Sequence, residues 1–166
     1  AKAAFGVTTY PFSSQELTDL YGEEMVKRLN EKRIGCDRYP MVKGFRGWGQ
    51  PDVLLEQLET GKPYKIHGAW IQTSNPIGGQ AGDPRRHLNA MKDLDFVVVV
   101  DTIHTPTSIA LADIFLPASV LGEKESFRNW WWPLTNMVPA VDPEDTKSDW
   151  EINLEMANRL NPNPAG

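Results

Sequence analysis

Five consecutive apolar residues, Phe96-Val97-Val98-Val99-Val100, run straight into an aspartate, Asp101. The four valines are β-branched, stiff at χ1 and well suited to a pleated surface. A strand with one face in water alternates apolar and polar residues. A run without alternation belongs to a strand covered on both faces, which is the habit of parallel sheets flanked by helices. The neighbouring sequence supplies the rest of such a unit. Ile66 to Thr73 predicts a preceding strand, broken by Ser74-Asn75-Pro76. Asp83 then stands as an N-cap before Pro84 at the first helical position, with Leu88 and Met91 giving that helix an apolar side. A short helix over residues 107–112 leads to a third strand from Ile114 to Leu116, stopped by Pro117. The second crossover lies near the minimum of about a dozen residues for a parallel connection. The expected class is α/β, a Rossmann-like three-layer domain with a parallel sheet, flanked by an N-terminal helical and irregular segment.

The chain has 166 residues, enough for one domain with a real core and too few for two sizeable ones. We divide it into a lead-in segment over 1–65, a nucleotide-fold domain over 66–162 and a tail over 163–166. Within the lead-in, Ser13 to Glu16 reads as a capping box. Leu17, Leu20, Tyr21, Met25 and Leu29 follow at helical spacing, with Gly35 suited to the stop. Residues 36–50 read as an irregular connector, and a short helix from Pro51 to about Thr60 ends at Gly61. Beyond the third strand, residues 118–145 read as mostly irregular. Ser148-Asp149-Trp150-Glu151 is a second capping box, opening a helix that Asn161-Pro162 stops. Trp48 and Trp70 are expected in the core.

Composition removes several classes of function. The net charge is -5, from 22 acidic and 17 basic residues, and no basic face suggests nucleic acid. The one cysteine, Cys36, cannot build a disulfide, a zinc site or an iron–sulfur cluster within the chain, and reads as a buried or incidental thiol. His67, His87 and His104 lack ligand spacing, so no metal ligand is assigned. No apolar run approaches the roughly 20 residues of a membrane span, so direct membrane insertion is not expected. The opening AKAAFGVTTYPF contains no Met and reads as the start of an excised segment.

In an open parallel sheet, ligands bind beyond the carboxyl ends of the strands. Two polar clusters sit there. Ser74-Asn75-Pro76 precedes the loop Ile77-Gly78-Gly79-Gln80-Ala81-Gly82, which could bring backbone N–H groups to a phosphate or sugar. It could equally be a plain turn, because neither common glycine fingerprint of nucleotide sites is present. Asp101, with Thr102 and Thr105, is the second cluster. A carboxylate at a strand end can accept two hydrogen bonds from the flat donor edge of guanine, an edge that adenine lacks. The competing reading has Asp101 capping the helix that follows. Glu123 and Glu125 read as solvated loop acids, and Trp130-Trp131-Trp132 as packing aromatics.

The runs AWIQTSNP, DLDFVVVVDTIHTPTSIALADIFLPAS, GEKESFRNWWW and KSDWEINLEMANRL resemble the large catalytic subunits of the dimethyl sulfoxide reductase family. The matching positions are Asn75-Pro76, Asp101, Thr105 with Thr107, Ala112-Asp113, Leu116-Pro117, Glu123 and Asp149-Trp150. The resemblance covers roughly residues 66–160, and it departs from the family pattern over 124–140. It implies a cofactor-binding domain of a molybdenum or tungsten bis(molybdopterin guanine dinucleotide) oxidoreductase, holding the guanosine end of one pterin cofactor. The implied contacts are Ser74, Asn75, Pro76, Asp101, Thr102 and Thr105. Asp113 is expected to close the helix-to-strand turn. The metal and an iron–sulfur cluster would be bound elsewhere in the parent, and no catalytic residue falls in this chain, which would be inactive alone. Implied partners are the remaining domains of the parent catalytic chain and an iron–sulfur electron-transfer subunit, in a periplasmic or membrane-associated complex. The alternative is a structural module of a respiratory-complex subunit of the same fold, without metal.

Overall fold

The computed structural model describes residues 18–19, 21–44, 49–128, 135–142 and 144–160. They belong to two compact units, Ala1–Ile66 and His67–Gly166. The capping box at Ser13, the apolar positions Leu17 and Leu20, Trp48 and the Trp130–Trp132 run lie outside the described residues.

In the first unit, α1 (Glu23–Lys32) starts after Gly22 and carries Glu23 and Glu24 in its first turn and Lys32 in its last, matching the helix dipole. Its buried residue is Val26, whereas Tyr21, Met25 and Leu29 are exposed. The predicted apolar stripe is therefore displaced. Gly22 adopts φ 78 and interrupts the chain, so Tyr21 is not continuous with α1. The connector over 36–50 is less irregular than expected, because it contains the short helix α2 (Pro40–Gly44). Gly35 (φ +83) sits where an added Cβ would lie 2.5 Å from Cβ of Gln50, so the turn after α1 accepts only glycine. α3 (Pro51–Thr60) has proline in its first turn and the left-handed Gly61 after its last, as the sequence indicates. Gln57 of α3 is almost fully buried, and its Nε2 donates to the Tyr64 carbonyl at 2.9 Å. Cys36 is a buried free thiol. The Arg33 guanidinium approaches its sulfur at 2.9 Å and donates to the Val42 carbonyl at 2.8 Å.

The second unit contains the predicted parallel sheet. β1 (Gly68–Gln72), β2 (Phe96–Asp101) and β3 (Ile114–Pro117) pair in the order β1-β2-β3. Ile71 lies beside Val99, and Val99 beside Phe115. The pleat divides the valines between two layers. Val97 and Val99, with Ile71, face Met91 of α4 (Pro84–Met91) and Leu111 of α5 (Pro106–Leu111). Val98 and Val100, with Ala118, face Ile152 of α6 (Asp149–Leu160). Val99 and Val100 have no exposed surface, so the strand is covered on both sides, as its lack of polar alternation requires.

Local chemistry at each junction agrees with the reading of the sequence. Asp83 caps α4 by accepting from Arg86 N at 3.0 Å. Asp113 closes the turn from α5 into β3, its Oδ2 accepting from Val97 N at 2.7 Å. Ser148 and Glu151 satisfy one another reciprocally at the start of α6: Ser148 N donates to Glu151 at 2.8 Å and Glu151 N donates to Ser148 Oγ at 3.3 Å. Those Ser148 bonds hold the Glu151 carboxyl below its ordinary value. Two expectations change. Trp70 is more than a third exposed rather than core, because β1 has a strand neighbour on one side only among the described residues; its indole N–H donates to Gln72 Oε1 at 3.0 Å. Residues 118–145 contain a two-stranded antiparallel ladder, β4 (Ser126–Arg128) with β5 (Thr135–Met137).

Truncating the centre of the sheet tests this account. Val99→Ala removes two methyl groups from a site without solvent, and is expected to destabilise the fold by roughly 2–3 kcal/mol in equilibrium urea denaturation.

Candidate functional site

Several polar side chains of the second unit stand at the carboxyl ends of β1 and β2, because the buried length of β2 has no place for them. β1 is followed by Thr73, which takes φ 53, a left-handed conformation that a β-branched residue rarely adopts. Its N–H still donates to the Val100 carbonyl at 3.1 Å, so the turn begins while the chain remains tied to β2. Ser74, Asn75 and Pro76 follow, all partly buried, and residues Pro76–Gln80 form a single π-type turn. The glycine-rich loop is thus an ordered turn rather than an open one.

Asn75 holds this turn together. Its Oδ1 accepts from Gly78 N at 3.0 Å, from Thr107 Oγ1 at 2.7 Å and, more weakly, from Thr107 N at 3.4 Å. Thr107, in the first turn of α5, has no exposed surface, and its hydroxyl accepts from Ile77 N at 3.0 Å. A Cβ at Gly78 would stand 2.4 Å from Asn75 Nδ2, so glycine is needed there to seat the amide. Asn75 Nδ2 donates to no group among the described residues.

Asp101 ends β2 half-buried, with Oδ1 accepting from Thr102 N at 2.8 Å and Oδ2 accepting nothing among the described residues. It does not cap the helix that follows. Thr105 does that, in a capping box with Ser108: Ser108 N donates to Thr105 Oγ1 at 3.3 Å and Thr105 N donates to Ser108 Oγ at 2.8 Å. The capping alternative for Asp101 is therefore replaced by a carboxylate with capacity to spare. Thr105 is buried within its own box, while Thr102 is exposed. Thr102 lines an open groove of about 470 Å³ together with Ser119, Val120, Leu121, Gly122 and Lys124.

Two interactions at this edge were not singled out from sequence. The loop after β3 is fastened by Glu123, whose Oε2 accepts from Val120 N at 3.0 Å and from Thr146 Oγ1 at 3.3 Å. Glu123 is therefore a loop brace rather than a solvated acid. Asp149, at the start of α6, joins three segments. Its Oδ2 meets Lys124 Nζ at 2.6 Å and its Oδ1 accepts from Gln72 Nε2 at 2.9 Å. Burial pushes the Asp149 carboxyl up, but the bonds from Lys124 and Gln72 outweigh it and hold the group below its ordinary value. Both bonds link residues distant in sequence, which is why no local pattern reveals them. Among the described residues, no group of three His, Cys, Asp or Glu side chains could hold a metal ion, and no helix is long and apolar enough to cross a membrane.

Residues 20–159 match the family described as molybdopterin oxidoreductase. The chain is 30% identical over 139 residues to "Dopamine dehydroxylase" of Eggerthella lenta, covering 81% of this chain and 13% of that protein. It is 34% identical over 110 residues to a putative dimethyl sulfoxide reductase catalytic subunit of Halobacterium salinarum, covering 64% of this chain and 13% of that protein. It is 32% identical over 154 residues to "Putative formate dehydrogenase" of Staphylococcus aureus strain USA300, covering 90% of this chain and 14% of that protein. The chain thus spans about one seventh of the length of these relatives.

The lowered carboxyl of Asp149 carries a pH dependence of definite sign. Its contribution to stability is fully present above the ordinary aspartate range near 3.8 and is lost as pH falls through the lower value of the folded state. Asp149→Asn is expected to lower the melting temperature at neutral pH and to flatten this part of the acid limb. Parallel thermal melts of the two proteins from pH 7 to pH 2 check it; a constant gap down to pH 2 would contradict the assignment.

Proposed function

This chain belongs to the molybdopterin oxidoreductase family, whose name implies a molybdopterin cofactor, and from that premise we propose that its second unit holds the guanosine end of a molybdopterin guanine dinucleotide. The observation that carries this reading is Asp101. One carboxylate oxygen of Asp101 is anchored by the Thr102 N–H, and the other makes no hydrogen bond among the described residues. Guanine presents a ring N–H and an amino group side by side, and an ionised carboxylate can accept from both while Oδ1 keeps its backbone donor. Asn75 offers the complementary chemistry at the neighbouring strand end: its Nδ2 donors, unused among the described residues, suit an acceptor oxygen of a sugar or phosphate. The donor and acceptor sets at the sheet edge therefore fit a guanosine nucleotide, with Ser74, Pro76, Thr102 and Thr105 as its flanking residues.

In this proposal the chain is part of a catalytic subunit whose other domains complete the cofactor site, with the molybdenum or tungsten and an iron–sulfur cluster outside these residues. The bound cofactor supplies two-electron chemistry at its metal. The work of this chain is to bind and orient one end of the cofactor. The relatives carry names with three different substrates, and in this proposal the substrate is set elsewhere in the parent. An iron–sulfur electron-transfer subunit is the proposed partner.

Asp101→Ala in the full-length parent is expected to leave the fold intact, since the side chain stands at the strand end. The loss of a charge-assisted pair should weaken cofactor retention by on the order of tenfold to a hundredfold. Molybdenum or tungsten, pterin and guanosine monophosphate per chain are the quantities to measure, in a host that makes the guanine dinucleotide. Full occupancy in the mutant would remove the guanine-reading role. A folded wild-type parent with iron but neither pterin nor molybdenum or tungsten would favour the structural module of a respiratory-complex subunit.

A further inference from the structure

The amide of Asn75 has two chemically opposite ends, and the surrounding contacts decide which one faces outward. Gly78 N and Thr107 N can only donate, so both require an oxygen. Thr107 Oγ1 is less obvious, because a hydroxyl can donate or accept. Ile77 N donates to it at 3.0 Å, which takes up one of its two lone pairs. Because the two backbone donors already require the Asn75 oxygen at this end, the hydroxyl donates to it along the 2.7 Å contact. Every group that touches the inner end of the amide is a donor. The amide is left with one orientation, oxygen inward and Nδ2 outward.

We infer that Thr107 is a positioning residue that, together with the Gly78 N–H, holds the polarity of Asn75, so that the end of β1 offers two N–H donors, and not a carbonyl, to the cofactor. The inference rests on the reading of Asn75 as a cofactor contact. Thr107 does not touch the ligand itself; it is completely buried at the first turn of α5 and acts through the amide. The ligand atom that Asn75 takes is accordingly an acceptor oxygen of a phosphate or a sugar. Removal of the hydroxyl takes away the shortest of the three contacts that hold the oxygen inward and weakens the preference for that orientation.

A double-substitution cycle in the full-length parent tests this, with pterin and guanosine monophosphate per chain as the readout and melting temperature of each variant beside it. Asn75→Asp keeps an oxygen for Gly78 and Thr107 but removes the donors, and is expected to lower occupancy roughly tenfold. Thr107→Val should lower it several-fold, and Thr107→Ser should restore it. In the Asn75→Asp background Thr107→Val should cause a smaller further loss, because a carboxylate has no polarity to fix and only the acceptor for Ile77 N is removed. Thr107→Cys, which keeps only a weak S–H donor, takes its place should the valine variant not fold. Unchanged occupancy in Asn75→Asp would overturn the reading of Asn75 as a contact. A loss in Asn75→Asp combined with wild-type occupancy in Thr107→Val would overturn the role of Thr107 alone. An equal further loss from Thr107→Val in both backgrounds would also overturn it, since that pattern marks a contribution to the fold and not to the amide.

Discussion

The burial of β2 on both faces governs the rest of the second unit. Four successive valines leave no position along the strand for a polar side chain, and alternate ones are locked under α4 and α5 on one side and α6 on the other. Packing of this kind resists change, since each deleted methylene costs both its transfer energy and a residual cavity. Polar chemistry is pushed to the point where the sheet stops. Asp101 is the first polar residue that the strand can hold, and it sits where the backbone of β2 still pairs with β3 while the side chain reaches beyond the core.

The edge so formed is braced from several directions. Asn75 and Thr107 tie the turn after β1 to the start of α5. Asp149 ties the end of β1, through Gln72, to Lys124 and to the start of α6. Glu123 and Thr146 fasten the segment after β3, where Ser119 is buried against the Thr146 hydroxyl at 2.9 Å. A rigid setting of this sort suits binding that depends on fixed orientation, since little ordering remains to be done when a ligand arrives.

Local signals were strong wherever the physics is local. The β-branched run, the caps at Asp83 and Ser148, and the Asp113 turn each follow from a few adjacent residues, and each stands where the sequence places it. Asp101 was legible as a strand-end carboxylate, but its freedom from helix capping was not, because Thr105 and Ser108 form a capping box that competes for that task. Asn75 was legible as a turn residue, while its partner Thr107 lies 32 positions away and Asp149 lies 77 positions from Gln72. Such pairs depend on the tertiary arrangement, which no periodicity encodes. Trp70 misled for a related reason: hydrophobicity says that a side chain prefers burial, not that its strand has a neighbour on both sides. The stripe at Tyr21, Met25 and Leu29 failed because Gly22 interrupts the helical phase that the pattern assumed.

The oxygen-inward setting of Asn75 has a consequence beyond its own turn. The end of β1 offers hydrogen-bond donors, and the end of β2, through Asp101, offers an acceptor. Adjacent strand ends thus carry opposite senses, like the two poles of a keyed socket. A molecule that spans both must be polarised the other way, with an acceptor leading at one strand and a donor edge at the next. Turned end for end, the same molecule would set donor against donor and acceptor against acceptor. In the proposed role, the sheet edge selects a direction of insertion as well as a ligand, and a long cofactor gripped at this end has the heading of its far end set here.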